Sequence, residues 1–132
     1  MVDGETAATF GFTKIIVSDV DRMVDFYCNV LGMTLVETVE FPTLVEKILA
    51  SPGHEDGPLL VLFHEYDGPP LEIGNAWGPI GFHVADVSAT YARALAAGGR
   101  GDVESFEYKD LLVSMFFDPE GHRVELIGPK PA

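Results

Sequence analysis

Apolar and polar positions alternate in short runs along this chain, break at Gly and Pro, and then change period, and the whole progression occurs twice. FTKIIVSDV at residues 12–20 returns as PIGFHVADV at 79–87, 67 positions later. Each copy passes from a period-two run to an aspartate and on to a helical pattern. In the first copy that pattern is Val20, Met23, Val24, Tyr27 and Leu31, spaced by threes and fours along one helix face. Asp19 or Asp21 caps the helix and Gly32 ends it. Strands are predicted at 13–18, 34–40, 45–50 and 59–64, with Pro42 and the turn SPGHEDGP at 51–58 as breaks. The second copy predicts a strand at 80–85, a helix at 87–97 stopped by Gly98 and Gly99, and strands near 104–108, 112–117 and 123–127. DPEG at 118–121 makes the last hairpin turn. The fold class is therefore α+β: one domain over 1–132, made of βαβββ modules at 12–66 and 79–128 joined by a turn-rich linker at 67–78. Two such modules bury their apolar faces against each other, and a cavity is expected at the seam.

Composition narrows the function. With 47% hydrophobic residues in 132, the chain can build one core. Eight basic against 21 acidic residues, net −13, oppose nucleic acid and anionic membranes as partners. No apolar run approaches the roughly 20 residues that cross a bilayer, and the opening MVDGE lacks the basic flank and apolar run of a secretion signal. Cys28 is the single cysteine and cannot form an internal disulfide; lying mid-helix beside Phe26 and Tyr27, it reads as packing. The expectation is a cytoplasmic protein that meets a small molecule in water.

The doubled βαβββ pattern, FYCNVLGM at 26–33 and DPEGHRVEL at 118–126 together resemble the vicinal oxygen chelate superfamily. That is the family of glyoxalase I, bleomycin-resistance proteins and extradiol dioxygenases, and the resemblance covers residues 12–128. It implies paired half-barrels around a cavity and a homodimer. In metal-using members it implies one ligand from the start of each module's first strand and one from each module's last strand. Phe12, Pro79, Glu125 and Leu62, or Leu60 after a slip of two, stand at those positions. Only Glu125 is a donor, where an ion needs three or four at roughly 2.0–2.6 Å, so no cofactor and no divalent metal are expected. His64, His83 and Glu125 would be a displaced set of ligand types that iron or zinc accept. His64, however, reads as exposed where its strand ends beside Glu65 and Tyr66, and His54 and His122 read as exposed in turns.

By face alternation and the family's inward strand surfaces, the cavity lining is Phe12, Lys14, Ile16, Leu60, Leu62, His83, Ser114, Phe116, Arg123 and Glu125. His64 and Trp77 are added as substrate contacts. His83 and Glu125 are the pair for proton transfer, and Lys14 suits a developing oxyanion or a substrate carboxylate. The bland alternative has Lys14 or Arg123 neutralising Glu125, with His83 a satisfied core residue. Trp77, Phe106, Tyr108, Phe116 and Phe117 form either a platform for a flat ligand or plain core. Three functions follow: a metal-independent lyase or isomerase using His83 and Glu125, which is the expectation; a binding protein that sequesters its ligand; and a metal-dependent glyoxalase or dioxygenase.

Overall fold

In the computed structural model, which describes residues 2–132, the repeated sequence becomes repeated structure. β1 (Phe12–Ile16), α1 (Val20–Leu31), β2 (Thr34–Phe41), β3 (Leu44–Ala50) and β4 (Leu59–Glu65) are followed by β5 (Ile80–His83), α2 (Val87–Ala96), β6 (Arg100–Tyr108), β7 (Leu111–Phe117) and β8 (Arg123–Pro129). The aspartate shared by the two repeats caps both helices. Asp19 accepts from the Arg22 N–H at 3.1 Å and Asp86 from the Ala89 N–H at 3.0 Å, satisfying donors that a first helical turn leaves free. Gly32 closes α1 at φ 71°, a left-handed conformation that glycine adopts without a Cβ clash. β6 begins earlier than its periodicity suggested, because register irregularities on both sides of Val103 blur the alternation.

The strands form two four-stranded sheets, ordered β1-β4-β3-β2 and β5-β8-β7-β6. β1 pairs parallel to β4 and β5 parallel to β8, so β1 and β5 are each a free edge. Residues paired across strands share a face of the sheet. One face of each sheet packs on the helices: Met23, Phe26, Tyr27 and Val30 of α1 enter a single core with Leu62 from the first sheet and Phe116 and Leu126 from the second. Each such side chain stabilises the fold by roughly 1.5–3 kcal/mol. The Phe26 and Phe116 rings lie 6.0 Å apart, and Arg93 of α2 donates twice to the Val30 carbonyl at the end of α1. The other face of each sheet stays open and carries exposed Phe12, Ile16, Phe41, Phe106 and Tyr108. Among the described residues, no helix is long and apolar enough to cross a membrane.

The registers correct part of the expected lining. Lys14 pairs with Val61 and Met115 with Glu125, so Val61 and Met115 share the open faces. Leu60, Leu62, Ser114 and Phe116 point the opposite way; Leu60 still borders the cavity, as expected, whereas Leu62, Ser114 and Phe116 are 0% exposed. Ser114 donates to the Val103 carbonyl at 2.9 Å and is spent within the sheet.

Candidate functional site

The free edges β1 and β5 border one cavity of about 1030 Å³, flanked by the loop around His54 and by the linker. Lys14 and Ile16 line it from β1, Gly81 and His83 from β5, and Phe117 and Arg123 from the ends of the β7–β8 hairpin. Trp77 borders its mouth and is 80% exposed. Phe12 lies on the same open face as Lys14, outside the cavity wall.

Glu125 sits one strand in from β5, outside the lining in which the sequence placed it. It pairs with Gly81, while His83 pairs with Ile127, so His83 and Glu125 are diagonal neighbours on the open face. A Cβ built at Gly81 would meet nothing within 4 Å, which leaves room beside the Glu125 carboxylate. Glu125 is half-buried and His83 exposed, and among the described residues neither has a hydrogen-bond or ion-pair partner. The alternative in which Lys14 or Arg123 neutralises Glu125 is thus corrected. Lys14 Nζ lies 2.5 Å from Glu46 Oε2 instead, and Arg123 Nε lies 2.6 Å from Asp102 Oδ2. Lys14 also stands 5.7 Å from the centroids of both Phe12 and Phe63.

Glu46 escaped the sequence reading. The signal was the pair Glu46-Lys47 inside an otherwise apolar strand: with a period of two, successive charges must face opposite ways, so one of them faces the open wall.

His64 and His122 are also corrected. His64 lies on the helix side of β4, half-buried, with Nδ1 donating to the Val17 carbonyl at 2.9 Å. It is neither free nor grouped with His83 and Glu125. The His122 side chain is only 11% exposed and belongs to a polar clasp between the modules. Its Nδ1 donates to Asp118 Oδ2 at 2.8 Å and its Nε2 to the Ile16 carbonyl at 2.8 Å. Tyr27 Oη donates to the same Asp118 oxygen at 2.7 Å, and Asp118 Oδ1 accepts from the N–H groups of Glu120 and His122. Glu120 in turn accepts from the Ser18 and Asp19 N–H groups at 2.6 and 2.7 Å, where the dipole of α1 favours an anion.

Both ring nitrogens of His122 face acceptors, an arrangement that only the doubly protonated imidazolium satisfies. Burial alone pushes its pKa down, but the Asp118 hydrogen bond and charge, the Ile16 carbonyl and the Glu120 charge outweigh that and leave it above the ordinary 6.5. Burial, followed by the Asp118 charge, pushes the Tyr27 hydroxyl well above 10. A group whose folded pKa is raised stabilises fully below its unfolded value and loses that contribution as pH rises through the folded one. The melting temperature is therefore expected to fall as pH climbs from 6.5 through the alkaline range. In His122→Gln the neutral-range part of that slope should vanish; an unchanged slope would show that another group sets it.

Burial, aided by the Asp25 charge, pushes the Cys28 thiol up as well, so it is not an activated thiolate. No group of three or more His, Cys, Asp or Glu side chains among the described residues is arranged to hold a metal ion.

A lactoylglutathione lyase of Haemophilus influenzae is 34% identical over 123 residues, 89% of this chain and 90% of that protein. That of Salmonella typhimurium is 32% identical over 127 residues, 91% and 92% of the two chains. Maize glyoxalase I superposes with a TM-score of 0.82 at 21% identity, over 94% of this chain and 46% of the maize chain. Glyoxalase I of Leishmania major gives 0.80 at 24% identity, over 92% and 87%.

These relatives correct the expectation of no cofactor and no divalent metal, because lactoylglutathione lyase is glyoxalase I, a metal-using member of the resemblance above. At the corresponding strand positions this chain presents Phe12, Val61, Pro79 and Glu125, with Val61 placed there by its pairing with Lys14. One carboxylate is not the donor set of a four-ligand ion site, so these residues do not fit the ion and no step below runs through one. The family model of the Glyoxalase/Bleomycin resistance protein/Dioxygenase superfamily matches residues 9–126, nearly the whole doubled βαβββ pattern, and the chain belongs to that superfamily.

Proposed function

We propose that the protein is a lyase or isomerase that moves a proton on a small, mostly apolar oxygenated molecule, with His83 and Glu125 as the transferring pair and Lys14 steadying an oxygen. The observation that carries this reading is Glu125: a half-buried carboxylate with no partner among the described residues, beside the bare Gly81 and diagonal to His83. A carboxylate so placed takes a proton from a carbon next to a carbonyl, and an imidazole two positions along the wall exchanges one with the oxygen. The Lys14 ammonium, which lines the cavity together with His83, offsets charge that develops on that oxygen. Ile16, Phe117 and Trp77 supply the apolar contact, and Phe12 extends it along the open face.

The reading makes the working unit a homodimer. The large side chains exposed on both open faces are an apolar surface that monomeric proteins seldom leave to water, and a second copy laid on them shields the cavity. The lone Cys28 suits a cytoplasmic setting.

The relatives' names make lactoylglutathione, a 2-hydroxy thioester, the first compound to assay. A catalyst of this kind exchanges deuterium with water from the carbon that bears the hydroxyl, which proton NMR follows directly. One-to-one binding of the ligand without exchange, across this and small aromatic hydroxy ketones, would make the protein a sequestering member of the family instead.

A further inference from the structure

We propose that Glu46 is a positioning residue for Lys14 and that the two form a net-neutral dyad selecting an uncharged carbonyl oxygen, as in an aromatic ketone, aldehyde or thioester, over a carboxylate. The inference deepens the reading above and rests on it only in taking the open face of the first sheet as the ligand's side. The two residues are not on adjacent strands. Lys14 of β1 pairs with Val61, and Glu46 of β3 pairs with Phe63, so the lysine reaches across β4 to the carboxylate, over the Phe63 ring and beside Phe12.

Stability does not account for this arrangement. Glu46 is 9% exposed, and its Oε2 is shielded from water with no aligned hydrogen bond, only the ammonium beside it. Apolar side chains of similar volume commonly replace buried ion pairs without loss. The Lys14 side chain is 42% exposed. With three N–H donors and one carboxylate, it has donors left for the cavity.

Charge decides which acceptor they take. The other cations bordering the cavity are committed, Arg123 to Asp102 and His122 to Asp118. Glu72, which also borders it, and Glu125 have no ion-pair partner among the described residues, and the chain carries −13 overall. A permanent anion placed against Lys14 would compete with Glu46 and face that acidic field. A neutral carbonyl oxygen takes a charge-assisted hydrogen bond from an ammonium already held in place, while its ring lies on the open face beside Phe12 and Phe63, next to the cavity.

Acetophenone and benzoate, alike in shape and different in charge, test the dyad. Their binding is read by quenching of Trp77, the single tryptophan, and independently by saturation-transfer NMR. Wild type should bind acetophenone about tenfold more tightly than benzoate, and Lys14→Met should lose about tenfold for acetophenone. Glu46→Gln, which uncovers the Lys14 charge, should turn the preference toward benzoate, a reversal that a purely structural role for Glu46 would not produce. Absence of acetophenone binding, equal binding by Lys14→Met, or an unreversed preference in Glu46→Gln would each overturn the proposal. Should the single variants fail to fold, the apolar double variant Lys14→Met/Glu46→Leu takes their place, and full retention of acetophenone affinity there overturns it equally. Both readouts report binding alone. A wild type with the predicted preference but no proton exchange would therefore sink the catalytic reading and leave the dyad standing.

Discussion

Asp118→Ala is expected to lower the free energy of unfolding by about 3–5 kcal/mol, the scale for removing one partner of a buried charge pair. Asp118 is 2% exposed and takes hydrogen bonds from four donors: Tyr27 Oη, His122 Nδ1 and the N–H groups of Glu120 and His122. Truncation leaves an imidazolium, a buried hydroxyl and two backbone donors without their acceptor, and each carries its own desolvation penalty. The damage should spread across the modules, because the clasp ties α1 and the end of β1 to the β7–β8 hairpin. Urea unfolding at pH 6 measures the loss. Lys130→Ala, which breaks an exposed pair with Glu107, serves as the comparison and should cost no more than about 1 kcal/mol. Asp118→Asn keeps an acceptor for the backbone donors and removes the charge that holds His122, so it should fall between the two and flatten the dependence of stability on pH. A small loss in Asp118→Ala would mean that the modules are held by the apolar core alone.

What could be read from the sequence was whatever leaves a local mark. The doubled phrase at 12–20 and 79–87, the helix stripe from Met23 to Leu31 and the capping aspartates each act within a few residues, and they placed both modules. Strand parity was lost where the marks run out. LLVLF at 59–63 and LLVSMFF at 111–117 offer no steady alternation, so only pairing with β1 and β8 decides that Val61 and Met115, not Leu62 and Phe116, share the open faces. His122 was misjudged for a related reason: a turn histidine looks exposed until Ile16, 106 residues away, supplies its second acceptor. The cofactor expectation failed on different ground. It was drawn from the donors missing at three of four positions, whereas the relatives to which about nine-tenths of the chain aligns are lactoylglutathione lyases.

In the proposed reaction, Glu125→Gln should reduce kcat by roughly 10²–10⁴-fold, the range that a positioned acid or base contributes, with KM changed far less. The amide keeps the shape of the carboxylate but cannot accept the proton, so the loss falls on the chemical step while binding, shaped by the dyad and the apolar wall, persists. Stability should hardly move, within about 0.5 kcal/mol, since Glu125 makes no hydrogen bond or ion pair among the described residues. His83→Gln should cost less than Glu125→Gln if the imidazole only exchanges a proton with oxygen, and the double variant should fall little below Glu125→Gln alone, as expected of residues acting in one step. Deuterium exchange with water separates the two roles: it should cease in Glu125→Gln and persist, slowed, in His83→Gln. A Glu125→Gln protein that turns over lactoylglutathione, or any substrate of the wild type, at an undiminished rate would remove Glu125 from the chemistry and return the open face to a purely binding role.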